Sequence, residues 1–150
     1  MRAVVQRVKE ASITVNDEVV SAIDQGLLVL LGVEEADGQQ DADWLAGKIA
    51  RMRIFDDTNG VMNESVKDKQ FGILVVSQFT LHASTKKGNR PSYIRAARPE
   101  QAEPLYEYFA TALRTASNCD TQQGVFGANM QIRFTNDGPV TILLDSIDPE

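Results

Sequence analysis

The sequence predicts an α/β protein in three layers (α/β/β): a mixed sheet, two main helices on one side of it and a second small sheet on the other. Three observations carry this. Leu27 to Val33 and Phe71 to Val76 are unbroken apolar runs, which read as central strands buried on both faces. About eight stretches have strand character and only two have helical periodicity. Two helices cannot cover both faces of that much sheet, so a second sheet, or a curled part of the first, must close the other face.

The elements follow in order. Met1 to Val8 reads as a strand, with Val4, Val5 and Val8 apolar, and Ser12 to Val15 as another after a short polar break. Asn16-Asp17 marks a turn, and Glu18 to Ile23 is the return strand. After Gln25-Gly26 comes the central run Leu27 to Val33, then an acidic loop from Glu34 to Gln40. Asp41 suits a helix N-cap or first turn. Leu45, Ile49 and Met52 recur at i, i+4 and i+7 beside Trp44, which gives one apolar helical face ending by Arg53. Asp56 to Gly60 is a turn. Lys67 to Gln70 is a polar connection into the second central run.

Residues 83–98 read as a long surface loop. Pro99 suits the first turn of a second helix with Leu105, Phe109 and Ala112 as its stripe. Pro104 conflicts with that helix, because an interior proline removes a hydrogen bond. Either the helix begins near Pro104 or its first turn is kinked. Thr121 to Val125, Asn129 to Phe134 and Val140 to Leu144 complete the strands, and Asp148 to Glu150 form a tail.

At 150 residues the chain is expected to form one domain, 1–150, long enough to bury about 70% of its unfolded surface. No apolar run approaches the roughly 18 residues of a membrane helix. Gln6, Arg7, Lys9 and Glu10 interrupt any signal-peptide core, so a cytoplasmic location with no membrane partner is expected. One cysteine, Cys119, rules out an intrachain disulfide. With only one histidine in the chain as well, no metal and no cofactor are expected.

The stretch that points to chemistry begins as the run Phe71 to Val76 and turns polar without a turn signal, through Ser77, Gln78 and Thr80. If the strand persists, Ser77, Phe79 and Leu81 face one way and Gln78, Thr80 and His82 the other. Such groups either satisfy neighbouring backbone or line a ligand site. Charge adds a second pointer. The chain carries −6 overall, yet no acidic residue lies between Asp68 and Glu100. Lys69, Lys86, Lys87, Arg90, Arg95 and Arg98 make that window +6 and leave −12 elsewhere. It is either a solvated loop or a contact for a nucleic-acid backbone, carried by Lys86, Lys87 and Arg90.

Conventional hydrolysis needs a nucleophile and a base. Ser77 and Thr80 are candidate nucleophiles, and His82 would share a face with Thr80. A lone histidine at a strand end is also simply an exposed surface group, and there is no Gly-x-Ser-x-Gly elbow. Cys119 has no basic neighbour in sequence and reads as a bystander.

Ser77-Gln78-Phe79-Thr80-Leu81 and Gly138-Pro139-Val140-Thr141 together resemble the two defining motifs of the D-aminoacyl-tRNA deacylases. Val5-Gln6-Arg7-Val8, Arg53-Ile54-Phe55, Gly88-Asn89-Arg90-Pro91-Ser92 and Phe126 followed by Met130 match in the same order, so the resemblance spans nearly the whole chain. It implies the three-layer fold and a homodimer whose pocket is completed across the interface. It also implies hydrolysis of D-aminoacyl-tRNA, and of glycine mischarged on alanine tRNA, at the tRNA 3′ end. The ribose 2′-hydroxyl of the substrate would stand in for a protein base.

By the same resemblance Gln78, Phe79 and Thr80 are the catalytic elements, the last two through backbone N–H groups. Ser77, Leu81, Phe126 and Met130 line the substrate site, although core packing would equally explain Phe126 and Met130. Gly138-Pro139, a turn on spacing alone, would be a cis-peptide motif that enters the neighbouring pocket and rejects L-amino acids. Arg7 sits near that motif, or is an ordinary salt-bridging arginine. Two other readings remain open: a non-catalytic RNA- or nucleotide-binding module, and a Thr80/His82 esterase for small molecules.

Overall fold

β1 (Arg2–Val15) is the strand to which most of the sheet is tied. In the computed structural model, which describes residues 1–150, its first half pairs antiparallel with β3 (Gly26–Gly32) and its second half with β2 (Glu18–Ile23). Its other edge pairs almost end to end with β8 (Gln131–Asp145), from Arg2 opposite Asp145 to Thr14 opposite Gln131. The polar break expected near residues 9–11 does not split the strand. It is absorbed as register shifts between Gln6 and Val8 and between Val8 and Ala11. The shifts change which face each side chain meets: Ala3 and Val5 belong to one core, Val8, Ala11 and Ile13 to the other.

β6 (Gly72–Ser77) lies parallel to β3 on one side and to β7 (Thr121–Gln123) on the other, which makes the sheet mixed. Alternation then sorts the central runs. Leu27, Val29, Ile73 and Val75 face the helices, whereas Leu28, Leu74 and Val76 face the second core. α1 (Gln39–Arg51) and α3 (Pro99–Ser117) cover the first face through Leu45, Ile49, Phe109 and Leu113. The second face is closed by the sheet itself. It curls until β2 meets β7, where the Ser21 hydroxyl donates to the Gln123 carbonyl at 3.0 Å and the Ala22 N–H to Gln122 Oε1 at 3.0 Å. The second small sheet is the hairpin β4 (Phe55–Asp56) and β5 (Met62–Glu64), with Phe55 set edge-on against Phe71 at 5.4 Å.

α1 begins two residues before Asp41. Asp41 is a first-turn acid whose Oδ2 accepts from the Gly38 N–H at 2.9 Å. The polar stretch before β6 contains one extra turn, α2 (Val66–Lys69), capped by the Ser65 hydroxyl. α3 runs straight through Pro104, so the helix starts at Pro99. Buried Leu105, Tyr106, Phe109 and Leu113 outweigh the one missing backbone bond.

The C-terminal strands also differ from expectation. Asn129 to Phe134 and Val140 to Leu144 do not form separate strands around a hairpin turn. From Gln131 onward they are parts of β8, which stays on β1 throughout. Asn136 lies opposite Val8 and Thr141 opposite Gln6, so the four residues Asp137 to Val140 face the single residue Arg7 and bulge from the ladder. The Gly138–Pro139 peptide bond inside this bulge is cis. No helix is long and apolar enough to cross a membrane.

Candidate active site beyond the central strand

The apolar run of β6 ends where it was expected to turn polar, but the strand does not persist. Ser77 still pairs with Leu31, and the Gln78 N–H donates to the Leu31 carbonyl at 2.7 Å. The backbone then folds into a 3-10 turn over Phe79–His82. The two-residue alternation expected for Ser77 to His82 is therefore replaced by a turn of about three residues, which sends the side chains in three directions.

Beneath the turn lies Gly32. A Cβ there would come within 3.0 Å of the Gln78 carbonyl oxygen, the Leu81 Cβ and the His82 ring, so only glycine lets β3 pass this closely. From the other side the Arg2 Nη1 donates to the Leu81 carbonyl at 3.1 Å. The turn is thus held on both flanks. Its first two amides, Phe79 N–H and Thr80 N–H, precede the first intrahelical bond and have no partner in the chain. Gln78 Nε2 donates to the Thr80 hydroxyl at 2.5 Å, which orients both side chains.

A cavity of about 590 Å³ opens beside the turn. Ser77, Gln78 and Phe79 form one wall, the first turns of α3 another, and Phe126 and Met130 a third. Gly124 makes room for the thioether, since a Cβ there would lie 2.5 Å from the Met130 sulfur. Two tyrosines that the sequence did not single out complete the walls. Tyr93 meets Phe79 edge-on at 5.2 Å. Tyr106 packs on Phe126 at 5.8 Å and donates its hydroxyl to the Val75 carbonyl at 2.9 Å. Burial pushes the Tyr106 phenol up to about 12, so it stays a neutral donor at physiological pH. Tyr106 was hidden because it neighbours the apolar stripe of α3, where a tyrosine reads as core.

No aspartate, glutamate or histidine lines the cavity. His82, expected as an exposed surface group or as a partner of Thr80, is neither. It is 1% exposed, packed away from the cavity, with its Nδ1 3.9 Å from Glu34 Oε2 and no hydrogen-bond partner on either ring nitrogen. It is the last residue of the 3-10 turn, which carries it into the interior. Cys119 is buried, and burial raises its thiol pKa, which keeps it protonated and unreactive.

Leu81 lies outside this cavity and faces a smaller one with Arg2, Trp44 and Leu143. Gly138 and Pro139 are not among the main cavity's walls within one chain. Arg7 is tied to their bulge: its Nε donates to the Asp137 carbonyl at 2.9 Å and its Nη1 to the Ile54 carbonyl at 2.8 Å. Of the basic window, Lys69 pairs with Glu64 and Arg95 with Glu34. Lys86, Lys87 and Arg90 are exposed.

The family description D-Tyr-tRNA(Tyr) deacylase matches residues 4–145. The chain belongs to that family. Membership makes it a hydrolase of the aminoacyl-tRNA ester. Proteins from Flavobacterium johnsoniae and Bacteroides fragilis, each named D-aminoacyl-tRNA deacylase, are 57% and 54% identical to it over 150 residues, the full length of both chains in each comparison. A solved structure described as a c-Myc DNA unwinding element binding protein superposes with a TM-score of 0.92 at 46% identity, covering 97% of this chain and 98% of that one. A second, a probable eukaryotic D-amino acid tRNA deacylase, gives 0.82 at 18% identity over 95% and 97% of the two chains and shares the fold. The deacylase-family chain therefore carries a turn with two bare amides beside a cavity that no ionisable base lines.

Proposed function

We propose that this chain, acting as one domain in the cytoplasm, hydrolyses the ester between a D-amino acid, or glycine, and the 3′ end of a tRNA. The observation that carries the proposal is the pair of unpartnered Phe79 and Thr80 amides beside a cavity that offers no ionisable base. Water adds to the ester carbonyl carbon, and the carbonyl oxygen takes up negative charge. Two fixed N–H donors suit that oxyanion. The C–O bond to the ribose then breaks, and the ribose oxygen takes the proton that the water gave up. The neighbouring 2′-hydroxyl is placed to relay this proton, so no side chain need do so. Ser77, Gln78 and the Thr80 hydroxyl position the ester, and Phe126 and Met130 receive the terminal adenosine.

Selectivity in this reading comes from a second copy. The Asp137–Val140 bulge, stapled by Arg7, is not among the walls of its own cavity but lies on an edge strand that another protomer can meet. Gly138 and Pro139 of one copy would enter the other's pocket and occupy the volume that an L side chain needs. Glycine has no side chain to exclude and passes. Lys86, Lys87 and Arg90 would track the acceptor-stem phosphates.

A pure binding role is the competing reading, and the name of the structural relative at 46% identity is of that kind. The paired bare amides favour hydrolysis, because two adjacent N–H donors suit the single oxygen on which charge develops in ester cleavage. The test is incubation with D-Ala-, L-Ala- and Gly-charged tRNA and with a simple ester. Release of D-alanine and glycine alone is expected. Thr80→Ala should retain single-turnover cleavage, whereas a 2′-deoxy terminal adenosine should lose far more. Equal hydrolysis of L-Ala-tRNA would refute the chiral part, and no cleavage at all would return the chain to a binding role.

A further inference from the structure

Arg98 is the only charged residue in the walls of the main cavity. It directly precedes α3, and its carbonyl accepts from Gln101 N–H at 3.0 Å and Ala102 N–H at 2.8 Å, so its backbone is fixed by the helix it starts. In the basic window Lys69 pairs with Glu64 and Arg95 with Glu34, the arginines of β1 pair with Asp145, Asp56 and Asp137, and the exposed Lys86, Lys87 and Arg90 lie outside the cavity walls. The Arg98 guanidinium has neither an ion pair nor a hydrogen bond in the chain. In a protein of net charge −6, a cation left unpaired at the mouth of an apolar cavity selects for an anion there.

The substrate class in the proposed function decides which anion. An aminoacylated tRNA end carries one cation, the α-ammonium group, and anions only in its phosphodiesters. Arg98 repels the first and attracts the second, so the nucleotide, not the amino acid, must lie on the α3 side of the cavity. The reacting ester then falls at the turn that begins with Phe79, on a different wall of the cavity. A cavity of about 590 Å³ is within the range that holds a nucleoside. The polynucleotide must leave through the mouth, so the phosphate next to that nucleoside sits at the rim, where Arg98 is exposed.

We infer that Arg98 binds the 5′-phosphate of the terminal nucleotide, making the cavity a nucleotide site and not merely a nucleoside site. The inference rests on the proposed deacylase reading for its substrate, but its test does not. An arginine presents two parallel donors to a phosphate, so charge alone is not all that it supplies.

The experiment is calorimetric binding of adenosine and of adenosine 5′-(methyl phosphate), which bears the single charge of a phosphodiester. The wild type should bind the phosphate about tenfold more tightly than adenosine. Arg98→Ala should erase that preference while leaving adenosine affinity unchanged. Arg98→Lys should restore part of it, and Lys9→Ala, on the distant β1, should keep all of it. The same contrast should appear in KM, with kcat unchanged, for 3′-D-alanyl adenosine with and without the 5′-phosphate. A wild type that binds both ligands equally, or a preference that survives Arg98→Ala, overturns the inference. Should neither ester be cleaved by wild type while the binding contrast holds, the deacylase reading fails and the phosphate site stands.

Discussion

At the scale of single residues, His82 separates burial from chemistry. It is enclosed in the 3-10 turn over Phe79–His82 with both ring nitrogens unpartnered, a costly arrangement for a polar group. Replacing it by an apolar side chain of similar size removes two unsatisfied atoms. His82→Leu should therefore match or exceed the wild-type Tm, while His82→Ala should lose about 2–3 kcal/mol through the cavity it leaves. Both should deacylate at near-wild-type rates. Thermal unfolding and single-turnover assays on the two variants decide this. A well-folded His82→Leu protein that cleaves nothing would make His82 part of the chemistry and end the base-free mechanism. Gly32 makes the complementary point. It carries no function of its own, yet the position of the Phe79 and Thr80 amides depends on the Cβ it lacks.

At the scale of elements, α3 tolerates a defect that can be repaired. Pro104 is exposed and lies inside the helix, so the Glu100 carbonyl lacks its usual donor four residues on. Pro104→Ala restores that bond, at the cost of a more flexible unfolded chain. A net gain of about 1–2 kcal/mol, or roughly 3–8 °C in Tm, is expected in a thermal melt, with activity unchanged. A fall in Tm would show that the proline shapes the first turn. The 83–98 loop offers a second element-level test. If Lys86 and Lys87 touch phosphates, Lys86→Ala/Lys87→Ala should weaken tRNA binding whatever amino acid is attached. It should also flatten the slope of log affinity against log salt by up to about 0.9 for each phosphate no longer neutralised. An unaltered slope would assign the loop to solvent.

At the scale of the whole molecule, β8 is a 15-residue edge strand with Phe134 38% and Leu143 78% exposed. A long edge with apolar side chains invites pairing unless something covers it. In the proposed function a second copy covers it and supplies Gly138 and Pro139. Light scattering should then give twice the chain mass. Phe134→Asp/Leu143→Asp should shift the protein toward monomer and lower D-aminoacyl-tRNA cleavage in proportion. A fully active monomer would remove the shared pocket.

The sequence by itself determined the central strands, both long helices and the two motifs. Each is written locally, as an apolar run, a 3.6-residue period or a short pattern of residues. Leu27 to Val33 and Ile73 to Val76 could be placed because unbroken apolar runs this short read as strands buried on both faces. What local pattern could not determine is where pairing stops and what the bends bring together. β1 and β8 each look interrupted in sequence, but the long edge between them supplies enough hydrogen bonds to carry both across their bulges. Ser77 to His82 looks like a continuing strand. However, beyond Leu31 the β3 neighbour runs out of partners, so the chain turns and leaves its first amides free beside the cavity that Phe79 lines. Tyr93, Arg98 and Tyr106 join that cavity from a loop and a helix 13 or more residues beyond Thr80. Only the packing of α3 across the sheet brings them there, because contacts between distant segments are set by how whole faces bury and not by the residues beside them.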